Sequence, residues 1–387
     1  MKKRFIPYGH QSIDAQDIKA VVRVLKSEWL TQGPNVSVFE KALCAYTGAK
    51  YAVAVANGTA ALHVACLAAG ISKDDEAITS PITFLASSNS VLYTGGKPVF
   101  CDVEPDTANI DASKIENLIT PRTKMLIPVH YSGHPCDMEN IRKIADKHKL
   151  LVLEDAAHAL GSKVKVKDKW YMTGSCGYSD MTVLSFHPVK HITTGEGGAI
   201  LTNREDIYEK LLVFRNHGMT KKNFVNTSHG DWYYEMQELG FNYRITDIQC
   251  ALGSSQLKKL GKFVKRRKKI VDTYNKAFKN NSNILTPPEL PYGYSSHHLY
   301  PIRLSEKIVP KRKGIVSQLR ARGIGAQIHY IPVYLQPYYE RLGYKKGLCP
   351  VAERFYWSEI SFPIYPSMTD KDIKYVIENV ETVLHES

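Results

Sequence analysis

A chain of 387 residues, 43% hydrophobic and 23% charged, is long enough to bury a large core and lies far from disordered, fibrous or collagen-like composition. Its 51 Lys and Arg against 38 Asp and Glu leave a formal charge of +13, which favours anionic partners without choosing among nucleic acid, anionic lipid and phosphorylated small molecules. Seven cysteines without a CxxC pair argue against a disulfide framework or a zinc ribbon and point to a reducing compartment.

In chain order, Met1-Lys2-Lys3-Arg4 runs into Pro7, Gly9 and His10 instead of the apolar stretch of a secretory leader. The longest apolar run, Ala60 to Ala69, is about half of the roughly 20 residues that span a bilayer. These features predict a soluble cytoplasmic protein. From residue 50, short apolar runs at 51–55, 77–79, 98–100, 125–129 and 151–153 alternate with amphipathic segments at 59–69, 85–93, 112–119 and 138–148. Strands separated by helices predict βαβ units and a mostly parallel sheet. Two further strands, 181–186 and 199–201, are joined by a polar, Gly-rich turn. A Pro-free stretch from Ile245 to about Lys279 reads as a helical spine between lobes, and a Pro-rich loop at 286–293 follows it. The remainder reads as a mixed small lobe ending in a helix from about Thr369 to Leu384, so the predicted lobes are 1–250 and 251–387.

In open α/β sheets ligands bind beyond the carboxyl ends of the strands, so the polar residues after each apolar run are the ones to examine. Asn57-Gly58-Thr59-Ala60 follows the first strand and opens a helix, where free backbone N–H groups and the positive end of the dipole suit a phosphate. The same residues also read as an ordinary helix cap. The segment is neither GxGxxG nor GxxxxGK[ST], so it is not a dinucleotide fingerprint or a P-loop. Glu154-Asp155-Ala156-Ala157-His158 sets a carboxylate at a strand end, where it pairs with a buried cation or caps the next helix. In Ser185-Phe186-His187-Pro188-Val189-Lys190-His191-Ile192-Thr193-Thr194-Gly195-Glu196-Gly197-Gly198, one lysine sits in a crowded turn between two strands. Desolvation there would lower its pKa and make it a Schiff-base nucleophile; without those flanks it would be a solvated loop lysine. Phe84, after the strand near 76–80, can cover a planar ring or serve as a core contact. Together, a phosphate cradle, a strand-end carboxylate, a nucleophilic lysine and a stacking ring match what pyridoxal 5′-phosphate requires.

On the SFHPVK…TTGEGG and EDAAH segments, and over nearly the whole chain, the sequence resembles the DegT/DnrJ/EryC1/StrS sugar aminotransferases. That resemblance implies an α/β, aspartate aminotransferase-like fold (fold type I), with a mostly parallel seven-stranded sheet in a large domain and a smaller α+β C-terminal domain joined by a long helix. It implies Lys190 as the lysine that joins pyridoxal phosphate, Asp155 as partner of the pyridine nitrogen and Phe84 as the stacking residue. Thr59, Ala60 and Ser185 would hold the phosphate, His158 would lie near the ring, and Asn242 would reach the phosphate of the other subunit of a homodimer. Glutamate would convert the cofactor to pyridoxamine phosphate, and a keto sugar would then take the amino group. His187, Arg215, His217, Arg244, His329 and Tyr330 are candidates for lining the substrate pocket, a structural role being the alternative for each histidine.

Narrower segments, Ser295-Ser296-His297-His298-Leu299-Tyr300, Gln327-Ile328-His329-Tyr330 and Ala251-Leu252-Gly253-Ser254-Ser255-Gln256-Leu257, resemble the branch of that family in the pseudaminic acid pathway. This implies a UDP-linked 4-keto-6-deoxy N-acetylhexosamine as acceptor, with other UDP- or GDP-linked 4-keto sugars as alternatives. Related dehydratases carry His where this chain has Lys190, so the lysine favours transamination. From a different class, eight bases within 258–269 suggest nucleic-acid binding, but their helical spacing and the lack of aromatics other than Phe263 favour a solvated helix face. No metal is predicted: Gly133 and Pro135 put His130 and His134 in a loop, and His297 and His298 would point apart if they lie in a strand.

Overall fold

The computed structural model describes residues 4–386; Met1, Lys2 and Lys3 of the basic opening lie outside the described residues, as does Ser387. Seven strands form one sheet in the spatial order Tyr51–Val55, Gly198–Thr202, Met181–Ser185, Leu151–Asp155, Thr123–Ile127, Glu76–Thr79, Lys97–Phe100. Six share one direction. Gly198–Thr202 is antiparallel to both neighbours, because the turn carrying Lys190 brings no helix to take the chain across the sheet. The helix Gly58–Ala68 is buried from Ala60 to Cys66 and packs on the sheet, which explains its apolar character on every side.

Two predicted helices take a different form. The segment 112–119 is a single α-turn, Ala112–Ile115, followed by a 3-10 turn, Glu116–Leu118. The spine is two helices, Asp247–Leu257 and Leu260–Phe278, separated at Lys258 and Lys259. The first is started by a capping box, in which the Thr246 hydroxyl accepts from the Gln249 amide, and it packs on the helices Ala15–Leu25 and Pro34–Thr47. Residue 250 therefore falls inside a helix rather than in a linker.

A second hydrophobic core gathers Ile270, Tyr274, Phe278, Tyr300, Phe362 and Val376, with Ile6 from the N-terminal segment. It lies between the antiparallel strands Ile284–Leu285, Tyr300–Leu304 and Glu359–Phe362 and the final helix, Asp370–Glu386. His297 and His298 are not in a strand: His297 has φ 51°, and regular pairing begins only at Tyr300. The basic run is also not wholly solvated. Arg267 is fully buried, Lys259 pairs with Asp14 and Asp17, Arg266 with Asp370, and Lys268 with Glu289 and Asp272. Among the described residues, no helix is long and apolar enough to cross a membrane.

Candidate active site

The strands that share one direction end on one edge of the sheet, so Val55, Asp155 and Ser185 all arrive there. Gly198 pairs with Val55 on one side and Ser185 on the other, placing the start of the antiparallel strand between two strand ends. Close approach requires glycine at this point. A Cβ on Gly198 would lie 2.5 Å from the Asn57 carbonyl oxygen, and one on Gly58 would lie 3.0 Å from Ser185 Cβ and 3.2 Å from its Oγ. The helix start is thereby pressed against Ser185. Asn57 caps that helix by accepting from the Ala60 amide at 2.8 Å, so the Ala60 N–H already has a partner, whereas the amides of Gly58 and Thr59 have none among the described residues.

Asp155 is 4% exposed, and its carboxylate accepts from Ser87 Oγ at 2.5 Å and from the Ala157 amide at 3.1 Å. It lies level with Val183, one strand away from the turn that carries Lys190. Burial lowers the Lys190 amine to about 8, while the Asp155 charge opposes that shift. His158 is buried; its Nε2 meets Tyr330 Oη at 3.2 Å, and its Nδ1 is buried without a hydrogen-bond partner. Desolvation, and secondarily the Lys190 charge, hold this imidazole well below its usual range, so it is neutral. Phe84 is 58% exposed, with its ring centroid 6.4 Å from that of Tyr330, so one face is free to cover a ligand. His329 is buried beside Tyr330 and Tyr8 and lowered to about 3, by desolvation first and Lys190 second.

The other candidates lie elsewhere. The His187 side chain is exposed, and its carbonyl accepts from the Lys190 amide at 2.9 Å. Asn242, His217 and Arg244 follow the outer edge of the first strand, where Val55 bridges to Arg244 and Asn216 to Asn242; Asn242 and His217 are exposed, and Arg244 donates to Asn216 Oδ1 at 2.6 Å. The Arg215 guanidinium donates through Nη1 to Glu40 Oε1 at 2.6 Å and to the Ala54 carbonyl at 2.9 Å, which ties a helix to the first strand. Arg215→Met is expected to cost about 1–3 kcal/mol of stability in denaturant unfolding; a raised donor KM with unaltered stability would instead give it a substrate role. A cleft of about 1320 Å³ is lined by Arg215, Arg244, Lys221 and Lys222, among others, and by none of Lys190, Asp155 and His158.

Sequence reasoning missed Ser87, which clamps Asp155, and His298, whose ring centroid lies 4.3 Å from that of His158. Ser87 carried no local signal, being an ordinary helix residue, and His298 stood out only as part of the Ser295–Tyr300 segment, with no sign that it meets His158.

The chain matches the DegT/DnrJ/EryC1/StrS aminotransferase family over residues 11–381. The chain belongs to that family. It is similar to the spore coat polysaccharide biosynthesis protein SpsC of Bacillus subtilis, at 41% identity over 99% of this chain and 98% of the relative. It is also similar to the UDP-4-amino-4,6-dideoxy-N-acetyl-beta-L-altrosamine transaminase of Campylobacter jejuni, at 39% identity over 98% of this chain and 97% of the relative. Among solved structures, the PLP form of a putative sugar aminotransferase, Spr1654 from Streptococcus pneumoniae, superposes with a TM-score of 0.91 at 30% identity, covering 99% of each chain. The protein is thus a pyridoxal phosphate-dependent sugar aminotransferase with the type I fold.

The residues present fit that cofactor. The Lys190 amine makes no hydrogen bond or ion pair among the described residues, the Asp155 carboxylate is clamped and buried, His158 Nδ1 lacks a partner, and a glycine-lined helix start adjoins Ser185.

Proposed function

We propose that this aminotransferase transfers the amino group of L-glutamate to the 4-keto carbon of a UDP-linked 4-keto-6-deoxy-N-acetylhexosamine, giving the 4-amino sugar nucleotide used for pseudaminic acid. It would act as a cytoplasmic homodimer. The observation that carries the chemistry is the desolvated amine of Lys190, lowered to about 8 beside the charge of Asp155. The substrate is supported by the activity for which the Campylobacter relative is named and by the resemblance of segments 251–257, 295–300 and 327–330 to that branch of the family.

Bound pyridoxal phosphate supplies an electron sink for the bond changes at the substrate carbon. Lys190 would join the cofactor and, once freed, move a proton between the substrate carbon and the cofactor carbon. Asp155, oriented by Ser87, would favour a protonated pyridine nitrogen. Phe84 would cover the ring, and Thr59, Ala60 and Ser185 would hold the phosphate at the helix start. Asn242, exposed on the edge of the sheet, would reach across to the partner's phosphate. His158 would lie near the ring, and Tyr330, hydrogen-bonded to His158, and His329 would line the sugar side.

The test is the absorbance of the purified protein before and after glutamate, followed by a panel of keto sugar nucleotides. Bleaching of the cofactor band by glutamate, with 4-amination of the UDP-N-acetyl sugar preferred over the others, supports the reading. Deoxygenation of the sugar, or a clear preference for another nucleotide sugar, overturns the substrate. The similarity to SpsC makes another 4-keto sugar nucleotide the second reading, and the same panel separates the two.

A further inference from the structure

Glu359 opens the strand Glu359–Phe362, and Ser361, two residues on, shares its face of that strand. Both are fully buried. The segment before Tyr330 runs alongside, with Gln327 and Ser361 exchanging backbone hydrogen bonds at 3.1 and 2.8 Å, so His329 is set over the two side chains. The His329 amide donates to Glu359 Oε2 at 2.9 Å, His329 Nδ1 lies 2.9 Å from Ser361 Oγ, and Ser361 Oγ bonds Glu359 Oε1. The result is a continuous line from carboxyl to hydroxyl to imidazole. The backbone of His329 is fixed in addition by Tyr131 Oη, which donates to its carbonyl at 2.6 Å.

We propose that Glu359 and Ser361 are positioning residues that set which ring nitrogen of His329 carries the proton, and thereby whether His329 offers a donor or an acceptor on its Nε2 side. This rests on the site proposed above, because that site gives His329 its neighbours. The argument follows from the single hydroxyl proton of Ser361. When Glu359 is ionised, Ser361 donates to it, and its oxygen then accepts from Nδ1–H, leaving the Nε2 lone pair outward. When Glu359 is protonated the chain reverses: the carboxyl donates to Ser361, Ser361 donates to Nδ1, and the ring proton sits on Nε2. In both arrangements every polar atom of the line is satisfied, so a small change at Glu359 selects between them.

The surroundings allow both states. Burial pushes Glu359 up to about 8, opposed by the bonds from Ser361 and the His329 amide and by the charge of Arg312 from the neighbouring helix. The phenols of Tyr131 and Tyr330 face it and are held neutral by burial. His329 itself, between Tyr8, Tyr330 and the side of Lys190 and His158, stays neutral throughout the working range. Its tautomer changes, not its charge.

The test is ring ¹⁵N NMR of the full-length, histidine-labelled protein from pH 6 to 9.5, with the His329 signals assigned by their loss in His329→Gln. The expected result is a swap of the two ring-nitrogen signals, from Nε2–H at pH 6–7 to Nδ1–H as the pH passes about 8. Ser361→Ala is expected to abolish the swap; in Glu359→Gln the carbonyl oxygen is taken by the His329 amide, which turns the NH2 toward Ser361 as a donor and is expected to hold Nε2–H at every pH. A His329 tautomer that never changes in the unmodified protein, or one that changes identically in Ser361→Ala, overturns the proposal. Should Glu359→Gln fail to fold, the other two measurements still decide. The signals are read without turnover, so failure of the Lys190 reading and failure of this one are separately visible.

Discussion

Lys190→Ala is expected to abolish multiple turnover and the absorbance band of lysine-joined cofactor, with the fold retained. Removing the proton carrier alone costs on the order of 10²–10⁴ in rate, and losing the covalent attachment adds to that. A variant that transaminates at the wild-type rate, or borohydride reduction that labels a different residue, would falsify the assignment. The same substitution has a readout in stability. The folded amine, at about 8, lies below its ordinary 10.5 because burial penalises the charge. Between those two values the unfolded chain binds more protons at this amine than the folded one, so the Lys190 contribution to the stability of the cofactor-free protein rises from about pH 8 toward 10.5. The stability of wild type relative to Lys190→Ala should therefore increase across this window in paired melting curves, the other titrating groups being common to both.

The second large effect is expected of Asp155→Asn. The amide preserves shape and can keep a hydrogen bond with Ser87, but it cannot hold a proton on the pyridine nitrogen by charge. Breaking a buried charge pair costs about 3–5 kcal/mol, which corresponds to a loss of roughly 10²–10⁴ in kcat. The variant also removes the group that raises the Lys190 pKa, so the amine should titrate below about 8 in the cofactor-free protein. The pH dependence of the rate at which Lys190 captures pyridoxal phosphate measures this directly. A lysine that titrates where it did before, or a kcat within a few-fold of wild type, would separate Asp155 from both roles.

These two residues were legible without coordinates for a local reason. A parallel strand ends where its apolar run ends, so the polar residue that follows Leu151-Val152-Leu153, and the turn after 181–186, had to lie on the ligand-binding edge. Helix extents were less legible. The Ile245–Lys279 stretch carried a helical pattern throughout, yet it breaks at Lys258 and Lys259, and the second helix runs from the large lobe's core at Leu260, Phe263 and Val264 into the other core at Ile270, Tyr274 and Phe278.

Arg215 shows where local reading stops. Nothing in the residues around it announces its ion pair with Glu40, 175 residues away in sequence. Arg267 looks like one more solvated base in a basic helix, yet its Nη1 donates to the carbonyls of His297, His298 and Ile364 in a buried position.

The amino-acid sequence by itself determined the alternation of strands and helices, the family, the strand-end positions of Asp155 and Ser185, and the place of Lys190 in the turn that follows, because periodicity and chain breaks are properties of neighbouring residues. Only the tertiary structure decided that Ser87 clamps Asp155 from 68 positions away, that Ser361 meets His329 from 32, and that Gly198 admits the helix start to Ser185. Each of those contacts depends on how separate elements pack, and a hydroxyl or a carboxylate has the same local signature whether it faces water or a buried imidazole.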